Sequence, residues 1–511
     1  MTYYPDRNII IKYYFYWGDF LLYIGIDLGT SATKFLLVDE TGKILNSISK
    51  EYPVIYPKSG WSEQDPNEWW NAVKTGVPEL LKGFDGANVN GIGVAGQMHG
   101  LVVLDDNDNV IRNVIIWNDG RTAKETEYLN TVVGKKQLSK NTANIAFAGF
   151  TAPKLLWMKE NEPENFKRIS KIMLPKDYIN YKLTGVHACD YSDASGMLLL
   201  DVKNKCWSQE MLKVCSVTKE QMPKLFESYD VIGNVKREIA SELGINTVNV
   251  IAGAGDNAAA AIGTGTIGNG KCNISLGTSG TVFISSEKHG VDENNALHSF
   301  CHADSGFHLM GCILSAASCH KWICDKIFTE TDYNKLEQEI DTSLLGKNEL
   351  FFLPYLMGER SPINDTDATG MFIGLRPDTT RSQMLLAVLE GVSFAIRDNI
   401  EVAKAIGIDV KTSYICGGGA KSKLWRRILS NILNIELQIP NAEEGPGYGS
   451  AMLSIVGAGE YKNINECAEK LLTVKDNVLP EKELVNLYEE RYNKFKQIYP
   501  AVKELYKKIK E

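Results

Sequence analysis

The sequence predicts an α/β protein made of two similar domains, and three observations carry that expectation. The chain has 511 residues, beyond the roughly 250 to 300 at which a single hydrophobic core stops growing. A strand–turn–strand unit with the turn Leu-Gly-Thr-Ser occurs twice, starting at Leu28 and at Leu276, a spacing too long for a solenoid and suited to one duplicated domain. Stretches of period-2 alternation are joined by stretches of helical apolar spacing.

Residues 1–22 are rich in Tyr, Phe and Ile, but Asp6, Arg7, Lys12 and Asp19 interrupt them. They fall short of the roughly 18 apolar residues of a membrane span. They are expected to be a non-native or disordered extension, with translation starting at position 22, because strand grammar begins at once with Tyr23. From there YIGID, the LGTS turn, TKFLLVD, a TG turn and KILNSIS read as three antiparallel strands. GIGVAG and VNVIAGAG read as buried strands. The second copy, KCNISLGTSGTVFIS, opens the second half, so the domains are expected at 23–267 and 268–511. TRSQMLLAVLEGVSFAIRDNI, KSKLWRRILSNIL and the segment Leu484–Tyr499 carry helical spacing.

Composition excludes several function classes. A formal net charge of -8, with scattered basic residues, lacks the footprint of a nucleic-acid binder. Ten cysteines in so long a chain fit reduced thiols in the cytoplasm better than a disulfide framework. The irregular spacing of His298, His302, Cys312, Cys319, His320 and Cys324 does not suit a structural zinc site.

Gly-Thr-Ser turns between strands let the backbone approach a ligand and point N–H and hydroxyl donors into a concavity that suits an anion. Thr30 and Ser31 in the first turn, and Gly277 and Thr278 in the second, are therefore phosphate candidates. Asp27 would repel a bare phosphate, but becomes useful if Mg2+ bridges the two, directly or through water. GTIGNGKC resembles a Walker loop only loosely, since Cys272 stands where a Ser or Thr must hold the metal. GAGDNA would put Asp256 against a pyrophosphate. Asp256 instead begins the helix-favouring run DNAAAAIG, placing a carboxylate at a helix N-terminus.

DLGTSATK, QMHG, WNDGR, FTAPKLLW, GDNAA, SLGTSG and CGGGAKS occur in the order of the FGGY family of carbohydrate kinases, which this chain resembles from Tyr23 to roughly its end. Among the members the motifs look most like those of bacterial xylulokinases. The resemblance implies two ribonuclease-H-like domains of the actin/hexokinase ATPase type, with the catalytic cleft between them. It implies ATP-dependent phosphorylation of D-xylulose, Mg2+ as cofactor, and Asp256 as the general base. It further implies a sugar site at Met98, His99, Trp117, Asp119 and Asn257, with Arg121 either beside the sugar or in a structural ion pair. Lys34 and the first phosphate turn, with Gly417, Gly418, Gly419, Ala420 and Lys421, form the implied nucleotide site. The expected partners are the sugar and ATP, with a homodimer as the candidate assembly. Rival readings are a family member acting on ribulose, gluconate or glycerol, and an actin- or chaperone-like ATPase. The glycerol reading is opposed by QMHG and GDNAA.

Overall fold

The computed structural model describes residues 20–441 and 445–510. The expected extension lies outside the described residues up to residue 19, and strand β1 begins at Leu22. β1 (Leu22–Leu28), β2 (Ala32–Asp39) and β3 (Ile44–Glu51) form the antiparallel meander read from the sequence. β1 is central, so its side chains from Leu22 to Leu28 are buried except for Asp27, which is half-buried. Helix α1 (Pro66–Leu80) starts where Asp65 accepts the Asn67 N–H and Pro66 supplies a first-turn φ. It covers the sheet with Trp69, Trp70, Val73, Val77 and Leu80. β4 (Val89–Gly96) returns parallel to β1.

Residues 97–230 then leave the sheet and build a lobe with its own core around Leu155, Met158, Leu174, Met197 and Trp207. Its helices include α2 (Thr151–Asn161), whereas α3 (Pro175–Thr184) packs back on the first sheet through Tyr178, Ile179 and Leu183. The sheet resumes with β5 (Val231–Asn234), β6 (Asn249–Ile251) and the short β7 (Ala254–Gly255), which leads into helix α4 (Asp256–Thr264). Its spatial order is β5-β6-β4-β1-β2-β3, with β7 also on β4.

The second half repeats this plan. β8 (Lys271–Leu276) and β9 (Gly280–Ser286) enclose the second turn; β10 (His298–Cys301) and β11 (Phe307–Ile313) extend that side. After α5 (Arg381–Ala405) come β12 (Thr412–Cys416), α6 (Lys423–Leu433), β13 (Glu436–Pro440), α7 (Gly445–Gly457), β14 (Val474–Val478) and α8 (Lys482–Lys510). The order β10-β11-β9-β8-β12-β13-β14 places an antiparallel meander beside two parallel strands, as in the first sheet. The two sheets therefore share the ribonuclease-H-like arrangement. α8 runs past Pro500 because Tyr506, beyond it, is also buried and stacks on Tyr499. Among the described residues no helix is long and apolar enough to cross a membrane.

Helix α7 comes from the second half of the chain but lies on the first sheet. A Cβ on Gly25 would sit 2.1 Å from the Gly447 carbonyl oxygen, and one on Gly449 would sit 1.8 Å from that of Ala259 in α4. α7 thus meets β1 on one side and α4 on the other with no side chain between the backbones. Such contact demands glycine because any larger residue would overlap backbone that has nowhere to move.

Candidate active site

Asp27 lies one residue before the end of β1, opposite Lys34 in the β1–β2 register. Asp256 is the first residue of α4, where backbone N–H groups and the helix dipole meet its carboxylate. Its Oδ1 accepts the N–H of Asn257 at 2.7 Å and the Asn257 side-chain amide at 2.9 Å. Burial pushes Asp256 up to about 6, against those two hydrogen bonds. Burial, and then the charge of Asp256, push Asp27 up to about 7, with Lys34 opposing. Two hard oxygen donors that repel each other are the setting in which a divalent cation is stabilising. The residues present therefore fit Mg2+ at Asp27.

The first LGTS turn is tied to Trp117, Gln97 and Gln64 by hydrogen bonds. Trp117 is half exposed and donates its indole N–H to Thr30 Oγ1 at 2.9 Å. Gln97 donates to Gly29 O and to Gln64 Oε1, while Gln64 donates to Thr30 O at 2.7 Å. Ser31 stands exposed on the turn. In the second turn the carbonyls of Gly277 and Thr278 accept N–H groups from Ala317 and Ala316, and the Thr278 side chain is exposed.

Met98 is buried beside Gly255, the residue before Asp256. His99 adopts a positive φ of 71° and stacks on Phe150 with ring centroids 4.6 Å apart. Its Nδ1 lies 2.7 Å from the Gly196 carbonyl. A carbonyl can only accept, so Nδ1 carries the proton and Nε2 is left as an acceptor. Burial, then the charges of Lys154 and Arg360, pull this imidazole down to about 3, so it is neutral at any working pH. A neutral ring with a free acceptor suits a hydroxyl donor.

Asp119 requires a correction. Its carboxylate accepts the Ser62 N–H at 2.6 Å and two guanidinium hydrogen bonds from Arg121, and neither side chain has accessible surface. Arg121 itself lies 3.8 Å over the Trp61 ring. This pair seats the loop that carries Trp117 and leaves Asp119 no oxygen for a sugar, which resolves the alternative for Arg121 in favour of the ion pair.

A cavity of about 910 Å³ opens between the halves of the chain, lined on one side by Asn257, Ala260 and Thr264 of α4 and on the other by Gly417, Gly418, Ala420 and Lys421. Gly417 has φ +89°, and a Cβ there would lie 2.7 Å from the Leu276 backbone, so the loop closes against the second turn only with glycine. Gly419 is buried beneath, against Trp425 and Leu276. α6 follows, capped by Ser422 through the Trp425 N–H.

Five residues escaped the sequence reading. Arg426, Lys475 and Asp476 also line the cavity, with Arg426 Nη1 3.5 Å from Asp476. Their separation in sequence hides them. Lys154, in the FTAPK stretch, donates to the His99 and Gly149 carbonyls at 2.9 and 2.7 Å and supports the strained His99 backbone. Arg360 reaches over from the second half to lie 5.1 Å above the Phe147 ring. Its charge helps keep both His99 and His298 neutral. Glu359 Oε1 fixes its backbone by accepting the Arg360 and Leu314 N–H groups.

Comparison with known proteins fits this geometry. Residues 22–263 match the N-terminal domain model of the FGGY family of carbohydrate kinases, and residues 272–458 match its C-terminal domain model. The xylulose kinase of Escherichia coli (strain K12) is 39% identical over 472 residues, covering 92% of this chain and 97% of that one. The crystal structure of a xyloylose kinase from Brucella ovis superposes with a TM-score of 0.89 at 38% identity, covering 95% of this chain and 100% of that one. A gluconate kinase from Lactobacillus acidophilus superposes with the same TM-score at 28% identity, covering 96% and 100%. With both domain models matched across the two halves, the chain belongs to the FGGY family of carbohydrate kinases.

Proposed function

We propose that this kinase transfers the γ-phosphoryl group of ATP to a hydroxyl of D-xylulose, with Asp256 accepting the hydroxyl proton. The observation that carries the reading is that Asn257, beside the base, lines the same cavity as the glycine loop Gly417–Gly418. That adjacency supports a base and a nucleotide sharing one space, as direct transfer requires. The sugar oxygen forms its bond to Pγ as the bridging oxygen to Pβ leaves with ADP, and the hydroxyl proton passes to a carboxylate oxygen of Asp256. Met98 supplies an apolar wall, His99 Nε2 accepts a sugar hydroxyl, and Asn257 holds the base in place. Mg2+, held at Asp27, would neutralise charge on the phosphates. The ketose identity is supported by the xylulose kinases at 36–40% identity.

A second reading has one specific support. Arg360 brings a guanidinium towards His99, and a guanidinium pairs with a carboxylate better than with a neutral ketose. The gluconate kinase among the solved relatives points to the same aldonate class. All ten cysteines are free thiols, consistent with work in a reducing cytoplasm. ADP release measured with D-xylulose, ribulose, gluconate and glycerol decides among substrates. Preference for any compound other than D-xylulose would overturn the ketose assignment.

A further inference from the structure

The stretch Asp190–Met197 carries no nucleotide or sugar motif, yet it touches both sides of the reaction centre. It is a short helical turn, Tyr191–Ala194, followed by a tighter turn, Ser195–Met197, and it is buried except for a half-buried Tyr191. Its anchor is Lys176, a fully buried ammonium 2.6 Å from Asp177 and 2.9 Å from Asp190. Asp190 Oδ2 accepts the N–H and the hydroxyl of Ser192 at 2.8 and 2.5 Å. With its O–H directed at Asp190, the Ser192 oxygen accepts the Gly255 N–H at 3.2 Å.

Gly255 is the residue before Asp256. It also bridges to Gly96 on β4, and a Cβ on it would sit 3.0 Å from Met98 Cγ. At the other end of the stretch, Gly196 O receives the His99 Nδ1–H at 2.7 Å. A Cβ on Gly196 would lie 2.6 Å from His99 Cε1. Between them, Ser195 Oγ accepts the Cys301 N–H at 2.9 Å, from the second half of the chain.

We propose that Asp190–Met197 is a clamp for the phosphoryl acceptor, in which Ser192 aims Asp256 through Gly255 and Gly196 aims His99. The inference rests on Asp256 being the base. Both are positioning residues, because each acts on the sugar through a neighbour. The buried Lys176–Asp190 ion pair makes the clamp stiff, since leaving either charge unpaired in that interior is strongly unfavourable. A base and a sugar ligand held by one rigid stretch keep a fixed separation, which an in-line transfer needs to a fraction of an ångström.

The test is steady-state kinetics with D-xylulose and ATP, with rates normalised to active sites counted by nucleotide binding. Ser192→Ala should lower kcat about 10- to 100-fold while the sugar KM stays within about threefold. In an Asp256→Asn background the same change should cost nothing further, because residues acting as a unit are not additive. Ser228→Ala removes another hydroxyl from the same Asp190 oxygen without touching Gly255 and should spare kcat. Gly196→Ala should raise the sugar KM about tenfold with little change in kcat. Unchanged kcat in Ser192→Ala, equal losses in both backgrounds, equal losses in Ser192→Ala and Ser228→Ala, or an unchanged KM in Gly196→Ala would each overturn the clamp. Normal turnover in Asp256→Asn alone would instead overturn the base assignment.

Discussion

Trp117 donates its indole N–H to the Thr30 hydroxyl at 2.9 Å, so the proposed wall of the sugar site and the turn proposed to hold phosphate are one hydrogen-bonded unit. Thr30→Val keeps the shape of the side chain and removes the acceptor. One lost hydrogen bond is worth about 0.5–1.5 kcal/mol, so the KM values for sugar and for ATP should both rise, by up to about tenfold. A variant in which only the ATP value moves would show that the contact does not couple the two substrates.

Replacing the base separates chemistry from binding. Asp256→Asn keeps the size of the side chain and the start of α4 but cannot accept the hydroxyl proton. The expected loss in kcat is ~10²- to 10⁴-fold, with the nucleotide Kd measured by calorimetry close to that of the unchanged protein. Turnover near normal would reject Asp256 as the base.

Lys154 makes stability depend on pH. Burial pulls its ammonium down to about 7, with Asp119 opposing and Arg121 assisting. A neutral amine has two N–H groups, matching its two carbonyl acceptors. Between pH 7 and about 10.4, the usual lysine value, the unfolded chain binds the proton that the folded chain has released. Stability from this residue therefore rises with pH across that window, by at most about 1.4 kcal/mol per pH unit. Lys154→Met lacks that rise. The Tm difference between the unchanged protein and Lys154→Met should widen in favour of lysine from pH 7 to pH 9, and a difference independent of pH would refute the assignment.

Arg360 decides between ketose and aldonate. If its guanidinium receives a carboxylate, Arg360→Gln should lower kcat/KM on gluconate about 10- to 150-fold while changing the D-xylulose KM only a few-fold, as expected when a charge-assisted pair worth about 1.5–3 kcal/mol is lost from one substrate alone. Equal effects on both substrates would show that Arg360 does not discriminate by charge.

Much of this site could be read from the sequence because the chemistry was local. The LGTS turns, the strand-to-helix step at Asp256 and the glycines of 417–419 each place their donors within a few residues of one another. Asp119 misled for the same reason: WNDGR shows a carboxylate beside a tryptophan, but only the fold brings Ser62, Trp61 and Trp157 around Arg121 and consumes that carboxylate. Lys154, Arg360 and the Ser192–Gly255 contact are tertiary meetings across 55 to 63 residues or between halves of the chain, and no periodicity announces them. The duplication showed in the repeated turn, whereas the lobe at 97–230, with its separate core, had no counterpart in the second half to reveal it.

The backbone-to-backbone seam where α7 meets β1 and α4 has a mechanical meaning. Close-packed surfaces with no side-chain layer cannot part without opening a void, though they can rotate by small amounts in place. Relative motion of α7 against β1 and α4 is therefore restricted to small rotations in place at Gly447 and Gly449. The seam lies beside Asp27, so that carboxylate is flanked by backbone that cannot shift far without overlap.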